Sequence, residues 1–236
     1  MNVAVTQQDA CALELMERVL RNGNSLAPEY PLVFGDEAPG RLVVCEENGE
    51  VRSTCAILDR DLVTAHASIR AGMIGSVSTH PDHRGKGYAS RVLDQAEDEL
   101  RESGCMFSLL WADDPAFYAK RGYVEIGAEN DFLLDVSSLS KLPPCDDVRP
   151  IEERDIQQVH SLYARHPERV ERTAQETASL IFSPGMEVLV RENAGQVVGY
   201  SCLGRGDDMR GVIHEWGGRP EDLRLYLAYF DEVESI

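Results

Sequence analysis

Apolar side chains recur at Leu13, Met16, Val19 and Leu20, the spacing of one helix face, and Gly23 closes that run. The period then shortens. RLVVCEENGEVRSTCAILD, residues 41–59, predicts two strands about an Asn48-Gly49 turn, a strong hairpin signal. Strand-like runs follow at LVTAHASI (62–69) and GMIGSVST (72–79), and Pro81 stops the second. From Lys86 to Ser103 the helical period returns, with Ala89, Val92, Leu93, Ala96 and Leu100 on one stripe and Gly104 placed to end it. CMFSLLWA (105–112) predicts a buried strand, DPAFYAKRGY (114–123) a short helix ending at Gly122, and VEIGAENDFLLDV (124–136) one or two strands.

SSLSKLPPCDDV breaks the pattern with three serines and a Pro-Pro pair, and predicts a linker over 137–147. Beyond it, 148–166 reads as a strand entering a helix with Ile156, Val159 and Tyr163 on one face. MEVLVRENAGQVVGYSCLGRG (186–206) is a second hairpin turning at Asn193-Ala194-Gly195, GVIHEWGG (211–218) a strand, and 220–233 a helix. The second half therefore repeats the first, and LVVCEENGEVRSTCAIL aligns with VLVRENAGQVVGYSCL. A repeat of this length implies duplicated domains. The expected fold class is α/β with a mixed sheet, a first domain over 1–136 and an incomplete second over 148–236. The unfinished second sheet leaves room for pairing with another copy in a homodimer.

Composition narrows the partners. Lys+Arg 23 against Asp+Glu 41 gives a net charge of -18, so polyanions such as nucleic acid and acidic lipid are repelled. Both halves share the imbalance, at -11 for residues 1–140 and -7 for the remainder. No apolar run approaches the about 20 residues that span a bilayer, and the polar N-terminus is unlike a secretory signal. These features predict a cytoplasmic protein. Six cysteines and six histidines are dispersed without metal-ligand spacing, so no metal is expected and the thiols are read as reduced.

One stretch reverses the acidic trend. SVSTHPDHRGKGYASRVL, 76–93, runs from a strand through a basic Gly-rich turn into a helix, with Arg84, Lys86 and Arg91 close together. The first N–H groups of a helix lack internal partners and carry the positive end of its dipole, and glycines let an anion approach that backbone. Three readings compete: a P-loop, a dinucleotide fingerprint, and a helix start with no ligand. Lys86 lies between glycines with no Ser or Thr directly after it, and GKGYAS lacks the third glycine, so both nucleotide motifs fit poorly.

Arg84-Gly85-Lys86-Gly87-Tyr88-Ala89 resembles the R/Q-x-x-G-x-G/A signature of the GNAT N-acetyltransferase superfamily. It follows a Val77-x-Thr79-x-Pro81 strand end, and PAFYAKRGYVEIG, some thirty residues on, looks like the family's F-Y-x-x-x-G-F/Y segment. The resemblance covers about residues 1–136 and extends loosely over the repeat, as in tandem-GNAT proteins. It implies a GNAT fold with an N-terminal acetyl-CoA-binding catalytic domain and a degenerate second copy. The acyl donor's pyrophosphate would lie over the amides of Gly85 to Ala89, with Arg84 and Lys86 neutralising it and Ser90 adding a hydrogen bond. The pantetheine arm would pair along Val77, Ser78 and Thr79, the Val77 N–H would polarise the thioester carbonyl, and Tyr118 would protonate the leaving sulfur. An acetyl group would pass to a primary amine, here of a small cationic molecule, by direct attack through a tetrahedral intermediate. The alternatives are a protein N-acetyltransferase, another acyl group, and a non-catalytic acyl-CoA-binding regulatory protein.

The general base is less legible. The fourth strand carries no carboxylate, which leaves Glu46, Glu47, His66 (read as lying on a strand), His80, water or a side chain of the second domain. In that domain HEWGGRPEDLR stands where the phosphate loop should be, and the acids after Pro220 would repel a pyrophosphate. Trp216 is expected in the core and Glu215 paired or exposed. The sharper alternative is that His214, Glu215 and Trp216 wall the acceptor pocket.

Overall fold

The computed structural model describes residues 1–128, 130–133, 147–220, 223 and 226–227. Its first sheet has the order β1-β2-β3-β4-β5. These strands are β1 (Asn2–Thr6), β2 (Arg41–Glu47), β3 (Glu50–Val63), β4 (Ser68–Thr79) and β5 (Phe107–Leu109). All neighbours are antiparallel except β4 and β5. Helix α1 (Ala10–Leu20) starts at Asp9, whose carboxylate accepts from the Ala12 N–H at 2.9 Å. It buries Ala12 and Met16 against Leu42, Val44 and Ala56 on one face of the sheet, beside the short α2 (Pro31–Phe34). Helix α3 (Tyr88–Glu102) lays its stripe of Tyr88, Val92, Leu93, Ala96 and Leu100 on Val43, Cys45, Cys55, Ile57 and Ile74 of the other face. The short α4 (Pro115–Ala119) adds Phe117 and Tyr118 to that layer.

Gly72 shows how close α3 sits. A Cβ there would lie 2.5 Å from Leu100 Cδ1, and Leu100 is itself buried. Overpacking of a filled core costs about 1–3 kcal/mol, so Gly72→Ala is expected to lower the unfolding free energy by that amount, read as a lower urea midpoint with an unchanged slope. A stability equal to the wild type's would show that the helix can lift away freely.

The second sheet, β10-β9-β8-β6, consists of β6 (Val148–Pro150), β8 (Glu187–Asn193), β9 (Gln196–Leu203) and β10 (Ile213–Gly217). Every adjacent pair is antiparallel. Strand for strand this is the order of β4-β3-β2-β1, with α5 (Ile156–Tyr163) in the place of α1. The hairpins also share a fault: the register slips between Cys45 and Glu46 in one, and between Arg191 and Glu192 at the corresponding place in the other. Asn48 and Ala194 both take positive φ at the turn.

A segment of the second half enters the first sheet. Strand β7 (Arg169–Val170) pairs with Leu62 and Val63 of β3, beyond the point where β2 has stopped pairing at Ile57. Helix α6 (Ala174–Ile181) follows, and its Glu176 receives Arg60 at 2.6 Å. Arg21 bridges Glu29 and Asp208 at 2.9 and 2.7 Å, and the Tyr30 hydroxyl also donates to Asp208.

Several sequence expectations are corrected here. The run at 62–69 is not a separate strand: β3 continues to Val63, and Thr64 closes a turn on Ala67, with backbone N–H to carbonyl at 2.8 Å. The 105–112 segment does form β5, but at the sheet's edge, with Met106 and Trp111 about four-fifths exposed. Among the described residues, 124–133 form no strand, and Val124, Ile126, Phe132 and Leu133 are exposed. Trp216 is half-buried and lies outside the core clusters. Strands β1 and β7 and helix α6 were not anticipated. Cys145, nearly all of the expected linker and most of the expected 220–233 helix lie outside the described residues.

Candidate active site

The site begins with an irregularity in β4. Thr54 faces Ser78 and Ala56 faces Gly75, so Cys55 alone stands opposite both Ser76 and Val77. This is a β-bulge, and Ser76 takes the left-handed φ of 52° that it requires. Bulges bend the strand that carries them. On its other side β4 pairs with β5 only as far as Met73–Leu109, while β4 itself runs to Thr79. The last stretch of β4 therefore has an edge that no described strand covers.

That edge leads through a short helical turn, Pro81–His83, to the glycines. Gly85 and Gly87 have φ of 74° and 83°, and a Cβ at either would meet nothing within 4 Å. Their left-handed backbone favours glycine, and the space over them is open. Gly87 is also the N-cap of α3, and among the described residues no side chain caps the first amides of this fifteen-residue helix.

Strand edge, turn and helix opening enclose a cleft of 410 Å³. Of the residues singled out in the sequence, Val77, Thr79, Arg84, Gly85, Gly87, Tyr88, Ala89 and Ser90 line it, joined by Val19, His83 and Phe117. Three singled-out residues do not line it: Ser78, Lys86 and Tyr118, the last standing next to the lining residue Phe117. Ser78 is buried, its carbonyl accepting from the Ser53 hydroxyl at 2.9 Å. Lys86 turns its Nζ to the Asp82 carbonyl at 3.1 Å, on the exposed side of the turn.

Beneath the loop lies a polar layer that sequence reading missed. Arg52 is 9% exposed, ion-pairs with Glu50 at 2.5 Å, and donates through Nη1 to His83 Nε2 at 3.0 Å. Its Nε is buried with no hydrogen-bond partner among the described residues. Lys86 Nζ lies 3.4 Å from His83 Nδ1. A neutral ring accepts at only one nitrogen, and the shorter contact assigns that role to Nε2, which leaves the proton on Nδ1. Burial first, then the charges of Arg52 and Lys86, lower the His83 pKa, so the ring is neutral at pH 7. Tyr88, though on the loop's helix, points inward and donates to Glu47 at 2.5 Å. A buried arginine between Val51 and Ser53 has no sequence signature; His83, within the quoted stretch, could have been found from its flanking cations.

Tyr118 sits on α4 against Phe117 and Tyr123, at ring separations of 5.0 and 5.9 Å. Among the described residues its hydroxyl has no hydrogen-bond partner, whereas Tyr123 shares one with Ser108 at 2.8 Å. Burial, with the nearby Cys55 a smaller cause, raises the Tyr118 phenol above its ordinary range; burial alone pushes the Cys55 thiol up to about 12. Both groups are protonated at neutral pH.

Two of the candidate bases, Glu47 and His80, are engaged elsewhere. Glu47 accepts from Tyr88, which draws its carboxyl below the usual range. His66 is exposed in the turn after β3, not on a strand. His80 caps the Pro81–His83 turn, accepting from the Asp82 N–H at 3.3 Å. In the second half a glutamate stands near the place of the β4 bulge: Glu215 faces Cys202, beside a register slip at His214. It is bound within its own half, with Arg172 donating to both oxygens at 2.9 and 2.7 Å and Tyr200 at 2.9 Å. Among the described residues no three His, Cys, Asp or Glu side chains gather as metal ligands, and no helix is long and apolar enough to cross a membrane.

This architecture is that of solved N-acyltransferase folds. The whole chain aligns with a probable N-acyltransferase of Enterococcus faecalis V583 (TM-score 0.72, 14% identity). It aligns as well with GCN5-related N-acetyltransferases of Anabaena variabilis (99% of the chain, TM-score 0.69, 16% identity) and Kribbella flavida (all of it, TM-score 0.69, 16% identity). The chain spans 62–63% of the length of these structures. No curated protein matches. Residues 14–126, which hold the cleft, the bulge and Tyr118, match the model of the acetyltransferase (GNAT) domain. Over this segment the chain resembles GNAT acetyltransferases.

Proposed function

We propose that the protein is an acetyl-CoA-dependent N-acetyltransferase whose catalytic domain is residues 1–136, with 148–236 a second GNAT-like copy that does not hold acyl-CoA. The observation that carries this reading is the meeting in one cleft of an uncovered strand edge and an uncapped glycine helix opening, with the neutral phenol of Tyr118 beside the cleft-lining Phe117. The donor fits: the space over Gly85 and Gly87 is open, and Arg84 with the amides up to Ala89 offers cationic and N–H groups to a pyrophosphate. In this reading Val77 and Thr79 offer main-chain groups to the amide-bearing arm, and the Val77 N–H holds the developing oxyanion. Bound acetyl-CoA would supply the thioester.

Tyr118, protonated at neutral pH, gives its proton to the departing sulfur as a neutral amine attacks the carbonyl. With Glu47 and His80 occupied, the amine's proton goes to water. A cationic small molecule suits the field of a protein at -18, which attracts such amines to the cleft. Free cysteines, among them Cys11, Cys45 and Cys55, suit a reducing cytoplasm.

The test is a screen of amine acceptors by CoA-thiol release. Continuous release with one amine, absent without it, is the expected result; no release across polyamine, aminoglycoside and peptide panels would overturn the catalytic reading. Donor recognition is tested separately. Hydrogen bonds to charged groups contribute about 1.5–3 kcal/mol. Arg84→Glu with Lys86→Glu is therefore expected to weaken CoA binding at least about tenfold at low salt, a deficit that shrinks as salt screens it. Unchanged calorimetric affinity would remove the pyrophosphate from this turn.

A further inference from the structure

The duplicated half has a cleft of its own. It measures 480 Å³ and lies between the end of α5 (Leu162, Arg165, His166), the start of β9 (Val197, Val198) and the end of β10 (Gly218, Arg219). The first cleft likewise lies at the end of α1 (Val19) and the end of β4 (Val77, Thr79), so the two occupy corresponding places in the repeat. Its volume is that of small-molecule sites, about 300–1,000 Å³.

Its chemistry differs from that of the first. Pro220 follows Arg219 and has no N–H to offer, so anion recognition there passes from main chain to side chains. Arg149, Arg169, Arg172 and Arg191 of this half each hold a carboxylate. Arg165 and Arg219, both exposed at the cleft, hold none among the described residues. Two arginines unpaired among the described residues line one cavity in a half whose net charge is -7, and to hold an anion they must outweigh the Glu221 and Asp222 carboxylates that follow in sequence. Between them the His166 ring is fixed: its Nε2 donates to the Trp216 carbonyl at 3.0 Å, and the ring meets the Trp216 ring edge-on at 6.4 Å. The donor role of Nε2 makes Nδ1 the acceptor of the neutral ring. Leu162, Val197 and Val198 supply an apolar floor.

We propose that this cleft is a second ligand site, taking a small molecule with a phosphate monoester on an apolar body. Two guanidiniums match a dianion, whose oxygens accept bidentate donors, while the imidazole lone pair receives a hydroxyl of the ligand and the floor receives its body. The proposal does not depend on acyl transfer in the other half.

The probe is phenyl phosphate, titrated calorimetrically into the full chain carrying Arg84→Glu and Lys86→Glu, which silences the first cleft. Saturable binding with one equivalent is expected. Adding Arg165→Gln and Arg219→Gln is expected to weaken it at least tenfold with an unchanged thermal midpoint. Benzoate, a monoanion on the same ring, is expected to bind at least tenfold more weakly than phenyl phosphate. Absence of binding, indifference to the two glutamines, or parity of benzoate would each overturn the proposal.

Discussion

Tyr118→Phe is expected to slow CoA-thiol release about a hundredfold while CoA affinity stays within about twofold, since a positioned proton donor contributes about 10²–10⁴-fold to rate. The ring fills the same space against Phe117 and Tyr123, and the hydroxyl has no partner among the described residues to leave orphaned. Loss of stability is therefore not expected to mask the result. Single-turnover rates with a poor and a good thiol leaving group sharpen the test. If Tyr118 protonates sulfur, the deficit is larger for the more basic thiolate. An equal deficit for both, or none, would return Tyr118 to packing and favour the binding-only alternative.

Glu215→Gln is expected to have the largest effect on stability. Removing one member of a buried ion pair costs about 3–5 kcal/mol because the other charge stays buried, and Arg172 is 8% exposed with its guanidinium also over the Tyr163 ring at 3.5 Å. Burial by itself would raise the Glu215 carboxyl, but the hydrogen bonds and charge of Arg172, with Tyr200, outweigh it and hold the pKa below the ordinary value. A depressed folded-state pKa stabilises above the unfolded value, near about 4.3, and that contribution is lost as pH falls through the folded value. The gap between wild type and variant, read from denaturant unfolding, is then widest near neutrality and closes in acid. Adding Arg172→Met to Glu215→Gln is expected to recover part of the loss, as a coupled pair requires. A gap independent of pH would mean that the carboxylate's charge contributes nothing.

Much of this was legible in the chain because periodicity reports local burial. The α3 stripe, both hairpins and the Gly-rich turn follow from spacing that one element imposes on itself. What escaped depends on partners distant in sequence. Two residues cannot announce a strand, and Arg169–Val170 became one only because β2 ends short of Val63. Met106 and Trp111 read as buried, and Val124 and Ile126 as strand, because apolar character says nothing about whether a sheet edge receives a neighbour. The Arg52–His83 contact joins residues on a strand and a turn, and alternation along β3 could not show that an arginine there is enclosed. Conversely, Lys86 and Ser78 earned their places from motif position alone, and the structure turns both away from the cleft.

The strand that the second half lends to the first has a consequence for how such a chain can change. Deleting residues after 147 would leave Leu62 and Val63 with an open main-chain edge, Arg60 without Glu176, and Arg21 and Tyr30 without Asp208. A duplicated copy is ordinarily disposable once its original duty lapses. This one is stitched into its twin, so its removal is expected to destabilise the first sheet as well.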